Sequence, residues 1–357
     1  MAKYLLIDIG AGTMDVLWYD DASEEQFKAV VKSPVRTLAE KAARLPGDIV
    51  ATGVEMGGGP VSDVLKAKAA ENNVLMTGPA AATIHHDPDR VRALGIDIVG
   101  EKEAEDAATI SKYCRLSLGD LEPGRLKKIV KSMGVPFAFD VVGVCAQDHG
   151  VPPAGKSHLD YRHDLFKTAL DETPFPHVLL YRDGEIPGTL NRLQSIAATA
   201  RELPADEIYV MDSGMAAMTG APLDPLARGK RNVMVLDIAT SHTLGAVFSG
   251  EELAAFFEYH TSDITLPRLE RLLPDLADGR LAHRQILNEG GHGAYTRKTV
   301  GFGAVEIILA TGPKRGLLRG TSLPIVHGAP GGDNMMTGTV GLLKAIQVRK
   351  GVAPSVI

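Results

Sequence analysis

The chain has 357 residues, with 38 Lys plus Arg against 44 Asp plus Glu and a formal net charge of −6. At roughly 150 residues per domain the length argues for two domains, and the acidic balance excludes a bulk nucleic-acid binder, which would carry a basic excess. Apolar residues at 45% and charged residues at 23% exclude wholesale disorder. Glycine is in excess at 38 residues, and glycine gathers where backbone turns sharply or approaches a ligand.

The N-terminal MAKYLLIDIGAG lacks the longer apolar region and small-residue cleavage site of a signal peptide. No stretch approaches the ~18 uninterrupted apolar residues of a membrane helix, so a cytoplasmic chain without membrane contact is expected. Residues 4–9, 14–19 and 26–31 read as three strands, the first turn built from Gly10-Ala11-Gly12. Residues 35–44 have helical spacing, 48–53 a strand pattern leading into Met56-Gly57-Gly58-Gly59-Pro60, and 61–71 a helix. Strands alternating with helices argue for an α/β sheet. Residues 79–135 read as mostly helical and acidic, 137–147 as a buried strand, and the proline-rich 150–188 as a loop-rich insertion or lid. A helix at 189–202 and a strand at 207–211 lead to Asp212 and a small-residue helix. Beyond Pro222–Lys230 the opening recurs: strand 233–238 carrying Asp237, the turn Ala239-Thr240-Ser241, then strand 243–249. Strand 252–259, helices within 265–288, strands near 304–310 and 323–327, and a last helix at 339–349 complete the chain.

The motif Asp8-Ile9-Gly10-Ala11-Gly12-Thr13 between two strands presents consecutive N–H groups that suit an anion. An Asp at a strand end can hold Mg²⁺ through water, and Thr13 can donate to a phosphate oxygen. It is no Walker A loop, because no Gly-Lys-Ser/Thr follows. Asp237 in a matching hairpin and Asp212 at another strand end supply the carboxylates that an Mg²⁺–nucleotide site requires. Read singly, each of the three is equally a capping residue.

DIGAGTMD (8–15) resembles the first phosphate loop of the actin-like ATPase superfamily, which includes actin, heat-shock chaperone ATPases and sugar kinases. DSGMAAMTGAPLD (212–224), RNVMVLDIATSHT (231–243) and GAPGGDNMMTG (328–338) resemble its acidic residue with alanine-rich helix, its second phosphate strand and its adenosine loop, in the superfamily's order. The resemblance implies two actin-like (ribonuclease H-like) domains flanking a nucleotide cleft. The first is placed at 1–225 with insertions over about 79–188, the second at 226–340, and a helix end and tail at 341–357. It further implies ATP and Mg²⁺ as cofactors, with Asp8, Asp212 and Asp237 holding metal and water. Gly10, Ala11, Gly12 and Thr13 would hold phosphate in the first half, Thr240, Ser241, His242 and Thr243 in the second, with Gly331, Gly332 and Asp333 at the adenosine. The departure is the second turn, where Ala239 and Thr240 stand for consecutive glycines; their Cβ atoms disfavour positive φ, which puts hydrolysis in doubt more than binding.

MGGGP (56–60), AQDHGVPPAGKSH (146–158) and the DSG segment resemble, more narrowly, one prokaryotic family within that superfamily. Its members are sometimes labelled pyruvate formate-lyase activating enzymes. That label implies a radical-SAM cluster on three closely spaced cysteines, and Cys114 and Cys145 cannot supply one. The reading is an ATPase or small-molecule kinase with Asp148 as candidate general base. The alternatives are a nucleotide-sensing module without catalysis, or a metal-dependent hydrolase using Asp148 and His149. Beyond the nucleotide, a small molecule or protein partner is expected, with homo-oligomerisation left open.

Overall fold

The computed structural model describes residues 2–355. The chain opens on an antiparallel meander, β1 (Lys3–Ile9), β2 (Thr13–Asp20) and β3 (Glu25–Lys32). Leu5, Ile7 and Ile9 of β1 fill one side of the sheet and Tyr4 and Leu6 the other. Both faces are covered, which is why the strand reads as a continuous apolar run. After α1 (Pro34–Arg44), a smaller unit follows: β4 (Asp48–Gly53), α2 (Pro60–Ala69), β5 (Val74–Thr77), α3 (Gly78–Ala81), α4 (Pro88–Arg92), β6 (Ile96–Val99), α5 (Glu101–Thr109) and β7 (Tyr113–Leu118). Its four strands form a parallel sheet in the order β6-β5-β4-β7. The helical reading of 79–135 is therefore corrected. Ile96–Val99 and Tyr113–Leu118 are strands too short for periodicity to tell from buried helix.

Next come α6 (Pro123–Ser132), β8 (Phe139–Ala146), α7 (His158–Glu172), β9 (Leu180–Arg182), α8 (Asn191–Ala200), β10 (Ala205–Met211) and α9 (Ser213–Gly220). The supposed lid at 150–188 holds a 15-residue helix. Its prolines lie outside the helix, and Ser157 starts it by accepting from the Asp160 N–H at 3.1 Å. β1, β8 and β10 pair in parallel, giving a six-stranded sheet in the order β3-β2-β1-β8-β10-β9.

The second half repeats this plan with β11 (Asn232–Ile238), β12 (His242–Ser249), β13 (Glu252–His260), α10 (Leu266–Ala277), α11 (His283–Asn288), β14 (Gly293–Thr296), β15 (Ile307–Thr311), β16 (Ile325–His327) and α12 (Thr337–Arg349). Its sheet runs β14-β13-β12-β11-β15-β16. Each half thus has three antiparallel strands followed by strands parallel to the first, the ribonuclease H-like order. α9 and α12 lie between the two sheets. A single core there joins Leu6, Leu17 and Val141 of the first sheet to Val233, Val235 and Ala246 of the second through Met215, Val340 and Leu342.

Candidate active site

The two opening hairpins have the same geometry. Gly10 N–H donates to Thr13 C=O at 3.0 Å, and Ala239 N–H donates to His242 C=O at 3.0 Å. Strand pairing ends on Ile9↔Met14 in one and Ile238↔Thr243 in the other. Among the described residues only Glu24 is a non-glycine residue with positive φ. The second turn therefore follows the path of the first without needing glycine, which corrects the expectation that Ala239 and Thr240 would distort it. The glycine that matters for contact is Gly12. A Cβ there would stand 2.6 Å from Thr240 Oγ1, so the two turns meet face to face.

Between them lies a cavity of about 370 Å³, walled by both turns. Asp8 and Asp237 reach it from equivalent positions in β1 and β11, and Asp15 joins them from β2. Enclosure raises the Asp8 carboxyl to about 7, a hydrogen bond from the Cys145 thiol opposing and the charges of Asp237 and Asp212 adding to the rise. Burial and then the Asp8 charge raise Asp15 to about 8. Burial also raises Asp237, against a 2.7 Å hydrogen bond from Thr311 Oγ1. Gly338, at the start of α12, faces Asp8, and a Cβ there would collide with its carboxylate. Gly312 closes on Ile238 and Asp237 with φ +86°, a conformation that favours glycine.

Several expected residues stand elsewhere. Asp212 is buried, bonded through both oxygens to the Arg162 guanidinium at 3.0 and 3.1 Å, and caps α9 by accepting from Gly214 and Met215. The structure makes it half of an ion pair where a metal ligand was expected. Asp148, the expected base, accepts from Gly150 N–H at 2.8 Å and from Leu193 N–H at 3.0 Å, a capping position at the start of α8. Gly331, Gly332 and Asp333 do not line the cavity; Asn334, Met335, Gly312 and Pro313 do. The Gly331 carbonyl instead accepts from Lys28. Thr243 is buried against Thr261 at 3.0 Å. In the Met56–Pro60 loop, the Gly57 N–H is taken by the Asp120 carboxylate, while Gly57 to Pro60 line the cavity wall.

A second cavity of about 470 Å³ shares Gly57, Gly58, Gln147, His149 and Arg192 with the first. Four histidines from distant segments converge where the two meet. His149 follows β8, His242 and His260 are cross-strand partners in β12 and β13, and His292 precedes β14. Ligating atoms of His149, His242 and His292 lie within 4.8 Å of one another, and the Nε2 atoms of His292 and His260 are 3.0 Å apart. Burial lowers His149 to about 3 and His242 to about 4, so both are neutral imidazoles. Beneath them Arg162 bridges Asp212 of the first half and Glu258 of the second, the latter at 2.5 Å. Gln147 also donates to Glu258, at 2.6 Å. Of the four histidines only His149 and His242 were expected at a site, each for another role. Asp15 of the first cavity was missed although it stands inside the quoted first loop, whereas the gathering of the histidines has no signal in sequence.

Two ribonuclease H-like halves enclosing a cleft with a carboxylate on each opening hairpin define an actin-like fold. A family model described as "Putative pyruvate format-lyase activating enzyme (DUF1786)" matches residues 56–317, and the chain belongs to that family. No curated protein matches it. Solved structures similar to it include a PilM–PilN type IV pilus biogenesis complex, at 13% identity over 98% of this chain and 99% of that one, TM-score 0.40. An inorganic polyphosphate/ATP-glucomannokinase from Arthrobacter sp. strain KM gives 14% identity over 98% and 100%, TM-score 0.36. A ROK family glucokinase from Streptomyces griseus in complex with glucose and AMPPNP gives 11% identity over 70% and 46%, TM-score 0.26, so the chain spans about half the length of that protein. No helix among the described residues is long and apolar enough to cross a membrane.

Proposed function

We propose that the cleft binds ATP with Mg²⁺ and that the adjoining cavity receives the group to which phosphate passes. The observation that carries this reading is the pair of hairpins with matching registers, each bringing an aspartate and a turn of backbone N–H groups to one cavity. The donor set suits the ion. Asp8 and Asp237 are hard oxygen donors of the kind Mg²⁺ takes in small number while keeping waters. The crowding of Asp8 and Asp15, whose Oδ1 is buried without a hydrogen-bond partner, is a repulsion that a divalent cation would relieve. Mg²⁺ there would neutralise charge on the phosphates. Asp8 and Asp237 would hold it, and the turns at Gly10–Thr13 and Ala239–His242 would donate to phosphate oxygens. Asn334 and Met335 stand at the expected nucleoside end. The second cavity shares Gln147, His149 and Arg192 with the first, which supports a small-molecule acceptor there.

The family label is a poor fit to this chain's chemistry. Cys114 lies on the four-stranded sheet and Cys145 on the first six-stranded sheet, and a three-thiolate cluster has no third cysteine in the sequence. A second reading, nucleotide binding without turnover, is favoured by Asp212, whose two oxygens are held by Arg162. Titration calorimetry with ATP, with and without Mg²⁺, followed by phosphate-release assays, tests both. Mg²⁺-dependent binding weakened tenfold or more in Asp8→Asn is expected, since a lost charge-assisted contact is worth about 1.5–3 kcal/mol. No heat at millimolar ATP would sink the proposal, while binding without phosphate release or transfer would favour the second reading.

A further inference from the structure

We infer that His149, His242 and His292 form a binding site for a first-row transition ion of the zinc type, separate from the carboxylates of the nucleotide cleft. The three rings offer ligand atoms within 4.8 Å of one another. Tetrahedral Zn–N bonds of about 2.0–2.1 Å place nitrogens about 3.4 Å apart, so modest ring rotations close the shell. Imidazole nitrogen suits zinc, iron, copper or nickel, whereas oxygen donors suit magnesium, so this set would not compete for the ion of the cleft.

Two observations argue that the cluster is built for a ligand rather than for its own hydrogen bonds. His242 Nε2 is buried with no hydrogen-bond partner, and an unpaired buried polar atom is destabilising unless something binds it. One ring also has a carboxylate behind it. His292 Nδ1 stands 3.4 Å from Glu258 Oε1, and Glu258 is fixed by Arg162 and Gln147. A carboxylate behind a histidine is the outer-shell device that orients a ligating imidazole. The Arg162 cation is offset here, because Asp212 and Glu258 together place two carboxylates on one guanidinium. His260, outside this set, has its Nε2 3.0 Å from that of His292. Three protein ligands leave a position for water or another oxygen ligand, here at the boundary of the two cavities. The hydrolase alternative drawn from Asp148 and His149 is thereby replaced in its residues, since Asp148 is turned to backbone.

The test uses the full chain, stripped with chelator and titrated with Zn²⁺ against a chromophoric competitor without nucleotide, with Co²⁺ as spectroscopic probe. One ion per chain and a visible d–d absorption of the Co²⁺ form are expected. Both should fail in His242→Gln and His292→Gln, with affinity down by at least the ten- to 100-fold seen for outer-shell partners, and persist in His177→Gln, outside the cluster. Circular dichroism establishes that each variant is folded; should one unfold, His149→Gln replaces it. Substoichiometric Zn²⁺ in the wild type, or full binding in the folded variants, would overturn the assignment. The readout is independent of ATP, so failure of either reading leaves the other standing.

Discussion

His86 Nε2 lies 2.9 Å from Glu55 Oε1 in the wall of the second cavity, both side chains largely shielded from water. The hydrogen bond to Glu55 raises the His86 pKa above its ordinary 6.5, with desolvation opposing. A group whose folded pKa exceeds its unfolded pKa contributes stability that is complete below the unfolded value and is lost as pH rises through the folded one. The melting temperature of Glu55→Gln should therefore fall furthest below wild type near pH 6, and the gap should shrink by about pH 9. A gap independent of pH would show that the pair contributes through packing alone. At the same scale, Asp148 and Asp212 show why a strand-end Asp is ambiguous in sequence. Carboxylates serve equally as ligands and as caps, and the choice depends on which N–H groups or guanidinium the fold brings within 3 Å.

The helices α9 and α12 cross where glycine faces glycine. A Cβ on Gly341 would overlap the Ala216 carbonyl and stand 2.6 Å from Gly220 N, and one on Gly220 would overlap the Thr337 carbonyl. These neighbours are helix backbone and cannot rotate away, so Gly341→Ala should cost about 1–3 kcal/mol or more by overpacking. Gly124, in the first turn of α6, has nothing within 4 Å of a Cβ and no positive φ. Gly124→Ala should be neutral or stabilise by about 0.4–1 kcal/mol through the unfolded chain. Urea denaturation of the two variants side by side checks the contrast; equal effects would mean that the helices slide apart at no cost. The crossing also sets the site, because α12 begins at Thr337 and holds Gly338 against Asp8.

Across the whole molecule, α7 ties the halves together. It belongs to the first half, yet His163 Nε2 bonds the Ala294 carbonyl at 2.9 Å and Asp171 accepts from Tyr295 Oη at 2.8 Å. Arg162 joins Asp212 to Glu258 at the centre. Removing the guanidinium leaves two buried carboxylates without a counter-charge, and breaking such a pair costs about 3–5 kcal/mol. Arg162→Ala should lose that much in chemical denaturation and speed amide exchange in α7 and around Glu258 first. A loss below about 1 kcal/mol, the scale of an exposed pair, would show that the Arg162 bridge does not hold the halves together.

The sequence by itself determined the meander, its recurrence after residue 230, and the placement of Asp8 and Asp237 at matching strand ends. Those features are local: strand periodicity and a three-residue turn are written in adjacent residues. It also determined, by count, that two cysteines cannot hold a three-thiolate cluster. Only the tertiary structure decided that Ala239-Thr240-Ser241 follows the same turn without glycine, because φ depends on the path that the flanking strands impose. It alone decided that Asp212 belongs to Arg162, 50 residues away. The joining of His149, His242, His260 and His292 was likewise invisible in sequence. His260 and His292 stand in no motif, and the chemistry of the four arises from the packing that folds the second half of the chain against the first.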